Sequence, residues 1–89
     1  MTEPIQLSII SIEDVSPWTA LCVVRCLAGP VYTGMTLRVT SLPEDMDFEV
    51  VEIEWYGRKI DTLDAIHSAK VLLSGSGTRL LQSGDSLAG

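Results

Sequence analysis

Two glycine-bearing turns constrain this chain more than any other feature. The first, Gly29-Pro30-Val31-Tyr32-Thr33-Gly34-Met35, lies between two apolar, strand-like runs. The second is Leu80-Leu81-Gln82-Ser83-Gly84-Asp85-Ser86-Leu87-Ala88. Glycine supplies the positive φ that tight turns require, and an Asp following it can bond the turn's own backbone. Between short alternating runs, such turns predict a small β-barrel. They fix no activity, and no catalytic, metal or phosphate signature accompanies them.

The runs between the turns read as strands. Ile5, Leu7 and Ile9 share one parity, and Ile10 and Ile12 fall on the other, a slip that predicts a bulge or a sharp bend. Ser16-Pro17 marks a turn. Ala20 to Leu27 is apolar on both parities apart from Arg25, as in a strand covered on both sides. Thr36 to Thr40 alternates, with Leu37 and Val39 expected inside. Phe48 to Tyr56 is a further strand, with Val51, Ile53 and Trp55 on one expected face and Glu52, Glu54 and Tyr56 on the other. A turn is expected at Gly57-Arg58-Lys59. Ile60 to His67 is irregular, and a helical turn or a short strand both fit it. Lys70 to Leu73 is a strand, Gly75-Ser76-Gly77-Thr78 is expected to be a hairpin turn, and Ser86 to Ala88 a last edge. Short strands at roughly 8–12-residue spacing without a long helical pattern indicate an all-β barrel or sandwich. Closure favours the barrel, because an open small sheet exposes its edges.

The sequence has 89 residues, which fits one domain over 1–89. Its 46% hydrophobic content suffices for a core and argues against disorder. No apolar run approaches the roughly 20 residues of a membrane helix. Met1-Thr2-Glu3-Pro4 lacks the basic start of a signal peptide, so a cytoplasmic protein with no membrane partner is expected. With six Lys and Arg against twelve Asp and Glu, the net charge is −6. Direct nucleic-acid binding is therefore not expected, because phosphate neutralisation supplies most of that affinity; a basic protein partner is. Cys22 and Cys26, four residues apart in a strand, would lie roughly 13 Å apart. A disulfide needs less than about 7 Å. Buried free thiols are expected, with a reactive thiol or a metal site as the functional alternative.

In their order along the chain, these segments resemble the second, β-barrel domain of the translational GTPases, as in elongation factor Tu. Ser11-Ile12-Glu13-Asp14-Val15 stands where that family has a Val-Glu-Asp-Val-like element. Cys22 to Leu27 and Gly29 to Val39 resemble its Val-rich strand and its Gly-x-Val-x-x-Gly turn with the strand that follows. Val50-Val51-Glu52-Ile53-Glu54, Val71-Leu72-Leu73-Ser74-Gly75 and Leu81 to Ala88 complete the series. The resemblance implies a small closed antiparallel, Greek-key-like β-barrel, free-standing over 1–89. Three departures accompany it. Ser16-Pro17-Trp18 replaces the family's Gly-Arg-Gly-like turn, and Ile66-His67-Ser68-Ala69 replaces its Ala-Gly-Asp segment. No GTP-binding domain is present: Gly75-Ser76-Gly77-Thr78 is followed by Arg79-Leu80 and lacks the Lys and the spacing of a phosphate-binding loop.

The candidate partner-binding residues are Glu44, Asp45, Asp47, Glu49, Glu52 and Glu54, joined by Trp18 and Tyr56. The acids occupy one short segment that contains no basic residue. It reads either as a solvated wall that discourages edge pairing or as a negative surface for a basic protein, with a hard-cation site as a third reading. Trp18 either caps one barrel end or serves as an exposed anchor; Tyr32 and Tyr56 read as outward or rim residues, and Trp55 as core. A Cys–His67 nucleophile pair is conceivable in principle, but it lacks a third, orienting residue. The sequence-level expectation is a non-enzymatic adaptor, inhibitor or immunity-type module without a cofactor. An accessory of translation contacting ribosome or tRNA is the alternative.

Overall fold

The computed structural model describes residues 5–43 and 46–89. Among these residues the chain forms nine strands: β1 (Gln6–Val15), β2 (Thr19–Ala28), β3 (Val31–Tyr32), β4 (Thr36–Val39), β5 (Asp47–Trp55), β6 (Arg58–Ile60), β7 (Thr62–Leu63), β8 (Ser68–Ser74) and β9 (Ser86–Ala88). A single 3₁₀ turn, Thr78–Leu80, precedes β9. Six of the strands close on themselves in the order β4-β9-β1-β2-β8-β5, with β5 returning to β4; β6 is appended to β5, and β3 pairs with β7 in a separate two-stranded ribbon. All pairings are antiparallel. The all-β closed antiparallel barrel expected from the sequence is the fold observed.

Alternation drives the wall. In β2, Ala20, Cys22, Val24 and Cys26 are buried, and in β4 Leu37 and Val39 are. Leu7 and Ile9 of β1, Phe48, Val50 and Ile53 of β5, Val71 and Leu73 of β8, and Leu87 of β9 complete the interior. Burial of such side chains contributes about 1.5–3 kcal/mol each, the main force closing a domain of this size. The parity slip in β1 is a bulge: the register to β2 shifts between Ile9 and Ser11, turning Ile10 outward while Ile12 still packs on the core. Gly34 (φ 87) and Gly84 (φ 90) hold the left-handed backbone of the two turns. The Asp85 carboxylate accepts the Gln82 N–H at 2.8 Å, as its place in the turn predicts.

Four expectations are corrected. First, Val50 rather than Val51 fills the core, because β5 bulges against β8 between Val50 and Glu52, and Val51 is 40% exposed on the outside. Second, the turn after β5 is Tyr56-Gly57, so Arg58 and Lys59 belong to β6. Third, Gly75-Ser76-Gly77-Thr78 does not join paired strands: it leads into the 3₁₀ turn, and β9 pairs with β1 and β4 instead of β8. Fourth, β9 is therefore an inner strand that helps close the barrel, not an edge. The irregular Ile60–His67 stretch contains β7, whose two residues pair with Val31 and Tyr32 across one barrel end.

Candidate functional site

The bulge in β5 decides where its acids point. Asp47 and Glu49 have one parity and Glu52 and Glu54 the other, which in a regular strand would place them on opposite faces. The extra residue at Val51 shifts the phase, and all four face solvent. Glu44 and Asp45 lie outside the described residues.

This outer face is less negative than its sequence. The neighbouring strands supply cations: Arg38 of β4 approaches Asp47 at 4.0 Å, and Lys59 of β6 pairs with Glu52 at 3.2 Å. Lys70 of β8 pairs with Glu13 of β1 at 3.2 Å and lies directly across from Glu54. Both partners in every pair are solvent-exposed, so each pair contributes little to stability, but each lowers the field that a partner would meet. Glu49 faces Thr36 and Ser74 across its two neighbouring strands.

The aromatic candidates sit at opposite ends of the barrel. Trp18 is 67% exposed on the β1–β2 turn. That turn is tightly built: the Ser16 N–H donates to the Thr19 carbonyl at 2.8 Å, the Thr19 N–H donates to Ser16 Oγ at 3.0 Å, and Thr78 Oγ1 donates to the Ser16 carbonyl at 2.5 Å. The Gly75 N–H donates to the Trp18 carbonyl at 2.9 Å, which fixes this end beside the C-terminus of β8. Trp18 is thus an exposed residue on a rigid turn and does not cap the barrel. Tyr56 is 88% exposed at the far end of β5, on the order of 20–25 Å away along the strand. The structure does not bring Trp18, the acidic wall and Tyr56 into one site.

A second feature was not assembled from the sequence. Trp55, expected in the core, is only half-buried. With Ile60, Thr62, Leu63, Asp64 and His67 it lines an open cleft of about 180 Å³ at the end of the barrel that carries β7. The Trp55 ring meets Tyr56 edge-on at 4.8 Å between centroids and His67 edge-on at 5.7 Å. The backbone around the cleft is unusual. Tyr56 (φ 51) and Ile66 (φ 76) are the non-glycine residues with positive φ among the described residues. In Tyr56-Gly57 (φ 76) a two-residue hairpin takes a positive φ at both positions, a role usually filled by Asn-Gly or Asp-Gly. Ile66 lies in the segment that replaces the family's Ala-Gly-Asp, and a β-branched residue in that conformation is an outlier. Its N–H donates to the Cys26 carbonyl at 2.6 Å, and the Cys26 N–H donates to the His67 carbonyl at 2.9 Å, so the segment is pinned to β2. The sequence signal for this region was that same replacement of a glycine-bearing segment by bulkier residues.

The two thiols behave as expected. Both are free and buried. Burial pushes Cys22 from its ordinary 9.0 up to about 11. Burial also raises Cys26, with the Asp64 carboxylate adding to the shift, and its Sγ contacts the Leu63 carbonyl at 3.8 Å. Neither is poised as a nucleophile, since the thiolate is disfavoured. Among the described residues no group of three or more His, Cys, Asp or Glu could hold a metal ion, and no helix is long and apolar enough to cross a membrane.

No protein-family model matches the chain, and neither does any curated protein sequence. Solved structures do match. Translation elongation factor SelB from Methanococcus maripaludis, in its apo form, superposes with a TM-score of 0.83 at 16% identity over 97% of this chain. The same factor in complex with the GTP analogue GppNHp matches with the same score, identity and coverage. The chain spans about a fifth of the length of these structures, 19% of each. Sequence order, strand topology and superposition agree: the chain has the fold of the β-barrel domain of elongation factor Tu-like translation factors.

Proposed function

We propose that this barrel is a non-enzymatic binding domain that serves translation, contacting the ribosome or tRNA. The single observation that supports this reading is the superposition on SelB over nearly the whole chain. The SelB structures include a complex with a GTP analogue, whereas this sequence has no phosphate-binding loop, so the barrel would act as a contact surface. Calorimetry with GTP and GDP in the presence of Mg²⁺ should give no binding in the micromolar range or tighter.

A second reading keeps the chain as a module that docks a basic protein. It is favoured by the outward placement of Asp47, Glu49, Glu52 and Glu54 on one strand and opposed by the cations that answer several of them. One experiment separates the two. Tagged protein is used to capture partners from native lysate, with and without nuclease. Ribosomal particles or tRNA, lost on nuclease treatment, support the translation reading. A basic protein retained after nuclease, released by salt and weakened by Glu52→Lys with Glu54→Lys, supports the second.

A further inference from the structure

The cleft at the β7 end has a composition that the acidic wall lacks. Its floor is apolar, from Ile60 and Leu63; its side is the Trp55 ring with His67 set edge-on to it; and its one carboxylate is Asp64. A cation over an indole is attracted by the ring quadrupole, and a carboxylate beside the ring supplies a charge-assisted acceptor. The nearest cations of β6 do not line the cleft, and Lys59 is engaged by Glu52. The volume of about 180 Å³ suits one side chain.

The rim adds an independent observation. Ile66 is 72% exposed and Tyr56 more so, and each is held in a left-handed conformation that disfavours its side chain. The exposed Ile66 side chain gives the free chain little in return for the strained backbone it sits on, and Tyr56 keeps only its edge-on contact with Trp55. Strain of this kind concentrates at ligand clamps. Tyr56 is linked to the cleft through Trp55, and Ile66 adjoins His67.

We propose that the cleft between Trp55, His67 and Asp64 is a receptor for one cationic side chain, a guanidinium or an ammonium, presented by a protein partner whose neighbouring apolar groups rest on Ile66 and Tyr56. The assignment stands on the cleft itself and does not depend on the translation reading, because the opposite end and the outer wall remain available for other contacts.

The test is an NMR titration of the full chain with an acetylated, amidated hexapeptide of alternating Arg and Leu. Matched Lys and Glu peptides serve as controls. The Arg peptide should shift the Trp55 indole N–H and the amides of 62–67 saturably, the Lys peptide the same signals, and the Glu peptide none. Asp64→Asn should weaken binding about two- to fivefold with the fold unchanged. Ile66→Gly relieves the left-handed strain, so it should raise the unfolding midpoint by about 4–8 °C while weakening the peptide. That combination of a more stable fold and a poorer receptor is one that a merely structural role for Ile66 would not give. Shifts confined to Glu49–Glu54, equal binding of the Glu peptide, or unchanged affinity in both variants would overturn the assignment.

Discussion

The barrel wall and the end that carries β6 and β7 follow opposite rules. Along the wall, side chains alternate between core and solvent, turns use glycine where φ is positive, and charges on β5 find partners on β4 and β6. At the end, an indole is left half-buried, a tyrosine and an isoleucine occupy backbone that suits glycine or asparagine, and an open cleft remains between them. Consistency across local and global preferences is what makes a chain fold; departures gather where something other than folding is selected. The contrast teaches that stability lives in the wall and that recognition has the end at its disposal.

The contrast can be broken by mutation. Phe48 is the largest fully buried side chain of the wall. Phe48→Ala should destabilise the fold by about 3–5 kcal/mol, measured by denaturant unfolding. A loss below ~1 kcal/mol would show that the wall is not the stabilising unit.

The thiol of Cys22 gives a second, pH-dependent break. Its folded pKa, about 11, lies above its ordinary 9.0. The folded state therefore holds this proton more tightly. The contribution is complete below about pH 9 and is lost as pH rises through about 11, amounting to ~3 kcal/mol at about 1.4 kcal/mol per unit. Thermal unfolding from about pH 8 to pH 11 should show this decline, with a flatter profile for Cys22→Ala. An equally steep profile in the variant would assign the decline to other groups. Alkylation of both thiols should be slow until denaturant is added.

Smaller effects sharpen the comparison. Ile66→Gly should stabilise the chain by ~1 kcal/mol, the reverse of what a wall substitution does. A destabilised variant would mean that the Ile66 side chain supports the fold. Glu52→Lys with Glu54→Lys should change stability by no more than roughly 1 kcal/mol, because these side chains are exposed. A larger loss, read by the same unfolding assay, would show that the cross-strand pair with Lys59 matters more than its exposure suggests.

Much of the wall was legible in the sequence. Leu37 and Val39 alternate cleanly, the slip after Ile9 marked a real bulge, and the spacing of Cys22 and Cys26 ruled out a disulfide. A bulge without a parity slip was not legible: Val50 and Val51 are adjacent and equally apolar, and only pairing with β8 decides which turns inward. The partners of β9 were not legible either, because closure is a long-range property that no local pattern encodes. At the candidate site, the acidic run could be read but its neutralisation could not, since Arg38, Lys59 and Lys70 reach it from three other strands. Trp55 looked like core because its parity matches Ile53; it is the last residue of β5, where the barrel opens.

Native-state hydrogen exchange resolved by residue tests the central contrast most directly. Amides of β1, β2, β5 and β8 should exchange only through global unfolding, sharing one high opening energy, apart from Cys26 and residues 53–55, which pair with the end segment itself, while amides of 58–67 should exchange through local opening at clearly lower energy. Protection of 58–67 equal to that of the wall strands would contradict the account, because the end would then be part of the same cooperative unit.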